Sequence, residues 1–143
     1  MADITIKNLE DMDSLGPTFI RARAELGVTS FGMQVENLPA NFTDYPEHDH
    51  VNLPYEQEQE QEEVYTALEG SATLIAGGEE YELKPGIFAR VGPAERRKIV
   101  TGDEPARILA LGARPGTIYE PAPHTEIGAT PPAMPSRESG ASS

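Results

Sequence analysis

The 143-residue sequence contains no cysteine, so disulfide frameworks and thiolate chemistry are excluded and any metal must be held by nitrogen and oxygen. No run approaches the roughly 18–20 consecutive apolar residues that a membrane-spanning helix needs. The opening MADITIKNLEDMDSL lacks both the basic start and the apolar run of a secretory signal, which makes cytoplasmic residence the expectation. Positive charge is scarce as well: 11 basic residues against 24 acidic ones leave a net charge of −13. A surface of that sign repels phosphate backbones and anionic head groups, so neither nucleic acid nor membrane is an expected partner. Five glutamates within 56–63 supply part of the excess, and solubility is its simplest meaning. There is no nucleophile with a paired base, no glycine loop of the phosphate-cradling kind and no internal repeat.

What is present is punctuation. Thirteen glycines and thirteen prolines divide the chain into short elements, which favours β architecture over a helix bundle, and the length suits one domain. Ile4–Lys7 reads as an opening strand, and FIRARAEL (19–26) as a short helix or irregular strand. In SFGMQVENL, Phe31, Met33 and Val35 alternate with Gly32, Gln34 and Glu36, the pattern of a half-buried strand. VYTAL and SATLIA join at Glu69-Gly70, and Gly77-Gly78 turns into EEYEL. Lys84-Pro85-Gly86 leads to IFARV, and RRKIV and RILALGA close the series. Eight or nine short strands at this spacing predict an all-β sandwich or barrel. The expected organisation is a strand and short helix or turn over 1–29, the barrel over 30–116, and an extended strap with a disordered tail over 117–143. Within that last part the strap covers 117–128 and the tail 129–143.

Two motifs give this pattern a family likeness. His48-Asp49-His50 is followed by Glu63, and six residues separate Glu63 from Gly70; then come Gly78, Pro85-Gly86 and Pro93. Over residues 30–112 the chain resembles a cupin, the double-stranded β-helix of the jelly-roll group. Two departures accompany the likeness. Twelve residues, VNLPYEQEQEQE, fill the gap between His50 and Glu63 where the family has three or four, and the slot of the second-motif histidine falls on Arg97.

The resemblance implies a site. Residues i and i+2 of a strand share a face, so His48 and His50 both look into the barrel. Glu63, by family correspondence, completes two histidines and one carboxylate, a set suited to Fe(II), Mn(II), Ni(II) or Zn(II) with positions open for substrate or oxygen. Gln61 or Glu62 in place of Glu63 is the weaker alternative, because an amide oxygen is the poorer ligand. Arg97 is read as inward, sharing a face with Ile99; it is then an anion anchor or an ion-pair partner that withdraws Glu63 from a metal. Tyr45, Tyr55 and Tyr65 are candidate hydrogen-bond or proton donors to a ligand, with Tyr65 equally suited to the core. The Glu/Gln run reads as a solvated loop, and His124 as a solvent-exposed histidine. The functional expectation is a metal-binding cupin acting on a small organic molecule, as a dioxygenase or isomerase-type enzyme. The competing expectation is a non-catalytic binding barrel with Arg97 as anchor. A homodimer is what the resemblance implies about assembly.

Overall fold

The structure, a computed structural model, describes residues 2–131; from residue 132 on, the expected tail lies outside the described residues. Nine strands form among them: β1 (Ser14–Leu15), β2 (Phe19–Ile20), β3 (Gly32–Leu38), β4 (Glu62–Gly70), β5 (Ala72–Ala76), β6 (Glu79–Leu83), β7 (Phe88–Val91), β8 (Arg97–Val100) and β9 (Ala106–Ala113). A single α-helix among the described residues, α1 (Ala22–Leu26), follows β2 and ends at Gly27 in the left-handed conformation. FIRARAEL is therefore both strand and helix. Ile4–Lys7 is not a strand: the segment joins no sheet, and Ile4 and Ile6 are exposed. An alternating pattern without a neighbouring edge to bond has no ladder to join.

The strands make two antiparallel sheets, ordered β1-β2-β3-β9-β4-β7 and β6-β5-β8, as an all-β jelly roll requires. Turn chemistry sets several of their ends. Gly77 and Gly78, at φ of 60° and 77°, form a two-residue hairpin that places Ala76 opposite Glu79. Gly70 stands at φ 71°, where a side chain would also run into the Pro105 carbonyl, so only glycine closes β4 here.

Register then decides what faces inward. Across β3, β9, β4 and β7 one row reads Gly32, Gly112, Glu63, Val91, and the next reads Gln34, Ala110, Tyr65, Ala89. A third row holds Glu36, Ile108 and Ala67. The polar members of the β3 alternation thus face the barrel interior. Its apolar members turn the other way: Val35 packs with Ile20 and Ala22, flanked by Leu9, Met12, Met33 and Leu109. β1 and β2 extend the sheet beside β3, while Leu9, Met12 and Ala22 of the N-terminal segment pack on its Val35 face, so both faces of β3 are covered. The main core gathers Leu38, Leu74, Leu83, Ile99 and Ile108 with Tyr45 and Tyr65 at the cavity side. No helix among the described residues is long and apolar enough to cross a membrane.

Candidate metal centre and cavity

The two histidines lie on an extended strip rather than a regular strand. His48 exchanges both backbone hydrogen bonds with Arg97 of β8, at 3.0 and 2.9 Å, and the His50 N–H donates to the Pro93 carbonyl at 2.7 Å. That sheet-like pairing keeps i and i+2 on one face, and both rings line a cavity of about 280 Å³ with centroids 5.2 Å apart. Their ring protons are fixed by carbonyl oxygens, which can only accept. His48 Nδ1 donates to Pro46 O at 2.9 Å and His50 Nδ1 to Glu58 O at 2.6 Å. Each neutral ring therefore presents a bare Nε2 to the third group.

That group is Glu63, reached from β4. Its Oε1 lies 3.1 Å from His50 Nε2 and 3.9 Å from His48 Nε2. The three donor atoms fall within 4.8 Å of one another. The 3.1 Å approach has the length but not the direction of a hydrogen bond, so His50 Nε2 is buried without a hydrogen-bond partner. Ligand bonds of about 2.1 Å at right angles put donor atoms about 3 Å apart, so the His50–Glu63 spacing fits a divalent transition ion. Burial alone would raise the Glu63 pKa. The two histidines beside it reverse this and hold it well below the usual carboxylate range. Burial works against a charged His50, but the nearby Glu63 outweighs it and the net shift is upward.

Glu63 has two further neighbours. The Tyr65 hydroxyl donates to Oε1, and Arg97 Nη1 stands 3.5 Å from the same oxygen. Arg97 is fully buried on the face it shares with Ile99; it donates from Nη2 to Gly92 O at 2.7 Å, while Nε and Nη1 make no hydrogen bond. It does not line the cavity but stands behind Glu63. Gln61 is buried and lines the cavity, its Oε1 against Gly112, whereas Glu62 turns outward to Arg90. A Cβ at Gly112 would meet Gln61 Oε1 at 3.1 Å and Glu63 Cγ at 3.3 Å, so the glycine makes room for the carboxylate.

Tyr45 donates to both oxygens of Glu36, at 3.0 and 3.1 Å, and Gln34 adds an amide donor at 2.9 Å. Burial raises the Glu36 pKa to about 8 even against these hydrogen bonds, so a protonated carboxyl lines the cavity at neutral pH. Sequence alternation showed Glu36 only as a polar residue; the signal for its burial is the apolar partner set on the opposite face. Glu58 was also hidden in the Glu/Gln run. That run is not an open solvated loop: Glu56–Glu58 form a 3-10 turn, and burial raises the Glu58 pKa to about 7. His124 is likewise not solvent-exposed. Its ring packs against Tyr55 at 4.8 Å between centroids, and Nε2 is 3.8 Å from Glu58. The strap thereby closes the cavity, with Tyr119, His124 and Thr125 in its wall.

An inward-facing cluster of two imidazoles and a carboxylate inside a small jelly roll defines a class of barrel built to bind small ligands or metals. The Cupin domain family model matches residues 42–112, and the chain belongs to the cupin superfamily. A cupin protein from Bacteroides fragilis is similar in structure, with a TM-score of 0.63 at 22% identity over 85% of this chain and 93% of that one. A cupin-superfamily sugar phosphate isomerase from Silicibacter pomeroyi superposes with a TM-score of 0.61 at 21% identity, over 77% and 76% of the two chains. A cupin 2 conserved barrel domain protein from Salinispora arenicola gives 0.59 at 18%, over 80% and 91%. Among curated proteins none matches.

Proposed function

We propose that this cupin binds one divalent transition metal through His48, His50 and Glu63 and acts on a small organic molecule in the adjoining cavity, by isomerase-type proton transfer. The carrying observation is His50: its proton is held at Nδ1 by the Glu58 carbonyl, and its bare, buried Nε2 faces Glu63 at 3.1 Å. A metal there would supply Lewis acidity toward a substrate oxygen. The remaining work belongs to side chains. The Tyr65 hydroxyl fixes Glu63, which orients the carboxylate toward the two rings. Glu36, with Tyr45 as its hydrogen-bond partner, offers a proton close to neutrality, and Glu58 a second group that titrates there. Two proton-handling carboxyls beside the ligand set favour isomerisation over a dioxygenase reaction, for which the same open set would also serve.

The second reading, a non-catalytic binding barrel, draws on Arg97: a permanent cation 3.5 Å from Glu63 competes for the carboxylate. Elemental analysis of tag-free protein decides between them, beside a His48→Ala/His50→Ala double variant. Near-stoichiometric metal in the wild type, lost in the variant, is the expected result. No metal after incubation with Fe(II), Mn(II), Ni(II) and Zn(II) would overturn the metal reading and leave the binding barrel.

A further inference from the structure

The end of the cavity formed by the N-terminal segment and the strap holds two arginines, each paired with a carboxylate, that the metal site does not explain. Arg21 and Arg23 both line it, each only 6% exposed, in a chain that carries 11 basic residues in all. Arg21 is committed: Nη1 pairs with Asp13 at 2.7 Å, while Nε and Nη2 donate to the carbonyls of His124 and Ala129. Its role is to hold the strap. Arg23 is different. Nη1 donates to Val28 O and Nη2 to Glu126, but Nε is buried and has no hydrogen-bond partner. The Glu126 side chain is 53% exposed, and an ion pair wetted on one side does not offset the burial of a guanidinium. Arg23 Nε thus remains a donor that the chain itself leaves unused.

A second donor is present. Tyr119 of the strap enters the cavity because residue 32 is glycine: its hydroxyl is 3.1 Å from where a Gly32 Cβ would sit. Its phenol lies within the electrostatic reach of Arg23. We infer that the cavity takes a small organic acid whose carboxylate is held at the strap end by Arg23 and Tyr119. This deepens the function proposed above and rests on it only for the far end of the ligand, which faces His48 and His50. One guanidinium edge and one hydroxyl match the lone pairs of a carboxylate. A phosphate dianion would call on Arg21 too, whose donors are engaged. The volume of about 280 Å³ lies at the small end of ligand pockets and suits a small acid. Arg97, behind Glu63, is not the anchor in this arrangement.

The test is calorimetric titration of metal-free full-length protein with acetate, malonate and succinate, each beside the corresponding neutral amide. At least one carboxylate is expected to bind the wild type and its amide not to bind. Arg23→Gln and Tyr119→Phe are each expected to weaken that binding about tenfold, the loss of one hydrogen bond to a charged group. No carboxylate binding, equal binding of the amide, or unchanged affinity in both variants overturns the inference. Should Arg23→Gln fail to fold, Tyr119→Phe alone decides: weakened binding supports the inference and unchanged binding overturns it. Because no metal is present in the titration, its outcome is separate from that of the elemental analysis.

Discussion

Glutamate 36 makes the stability of this protein depend on pH in a way that one substitution removes. Its carboxyl is fully buried, and its pKa is raised from 4.5 to about 8, by burial first and by the charge of Glu63 in addition. The unfolded chain releases this proton near pH 4.5, whereas the folded chain keeps it until about pH 8. A raised folded pKa contributes stability that is fully present below the unfolded value and is lost as pH rises toward the folded one. At about 1.36 kcal/mol per pH unit, the loss is about 1 kcal/mol at pH 5 and about 3 kcal/mol at pH 7. Glu36→Gln has no proton to lose and retains an acceptor for Tyr45. Urea denaturation of both metal-free proteins at pH 5 and pH 7 is the assay. The variant is expected to gain about 2 kcal/mol on the wild type between the two pH values. All other groups are the same in both proteins, so the difference isolates Glu36. Parallel pH profiles would refute the argument that Glu36 is held protonated.

Two substitutions probe the ligand set directly. Arg97→His returns the second-motif residue of the family and removes the cation beside Glu63; metal affinity by competitive chelator titration is expected to rise at least about tenfold. Gly112→Ala pushes a methyl group toward Glu63 Cγ and Gln61 Oε1, at 3.3 and 3.1 Å. The same titration is expected to show affinity falling about tenfold, in the range of lost outer-shell support, with the sheet register unchanged by circular dichroism.

The parts of this fold that sequence carried are those governed by local chemistry. Gly77-Gly78 and Gly70 announce their turns because only glycine accepts the backbone angles required there. Gly70 does more, since its place against Pro105 explains physically why the six-residue spacing from Glu63 ends in glycine. The spacing of His48 and His50 likewise gives a common face once the segment is extended, which its pairing with Arg97 and Pro93 supplies. Illegible were the features set by what lies across from a residue. In β3, alternation separates Met33 and Val35 from Gln34 and Glu36, but which set meets the ligand depends on the N-terminal segment that covers the apolar side. Ile4–Lys7 has strand-like alternation and no edge to join. Arg21 and Arg23 sit in a segment whose period is ambiguous, and their cavity role depends on a strap about a hundred residues away, through contacts such as Arg23–Glu126.

The twelve residues between His50 and Glu63 acquire a different meaning once Glu58 is placed. Its main-chain oxygen dictates which nitrogen of His50 is left bare, and its side chain meets His124 of the strap. Loop length thus helps decide which nitrogen of His50 faces the proposed metal site. A chain with the shorter family spacing must recruit another acceptor for the same imidazole, and grafting His48, His50 and Glu63 alone onto such a barrel would transplant the ligands without the tautomer. Anyone shortening this loop to gain stability should expect the metal centre to change with it.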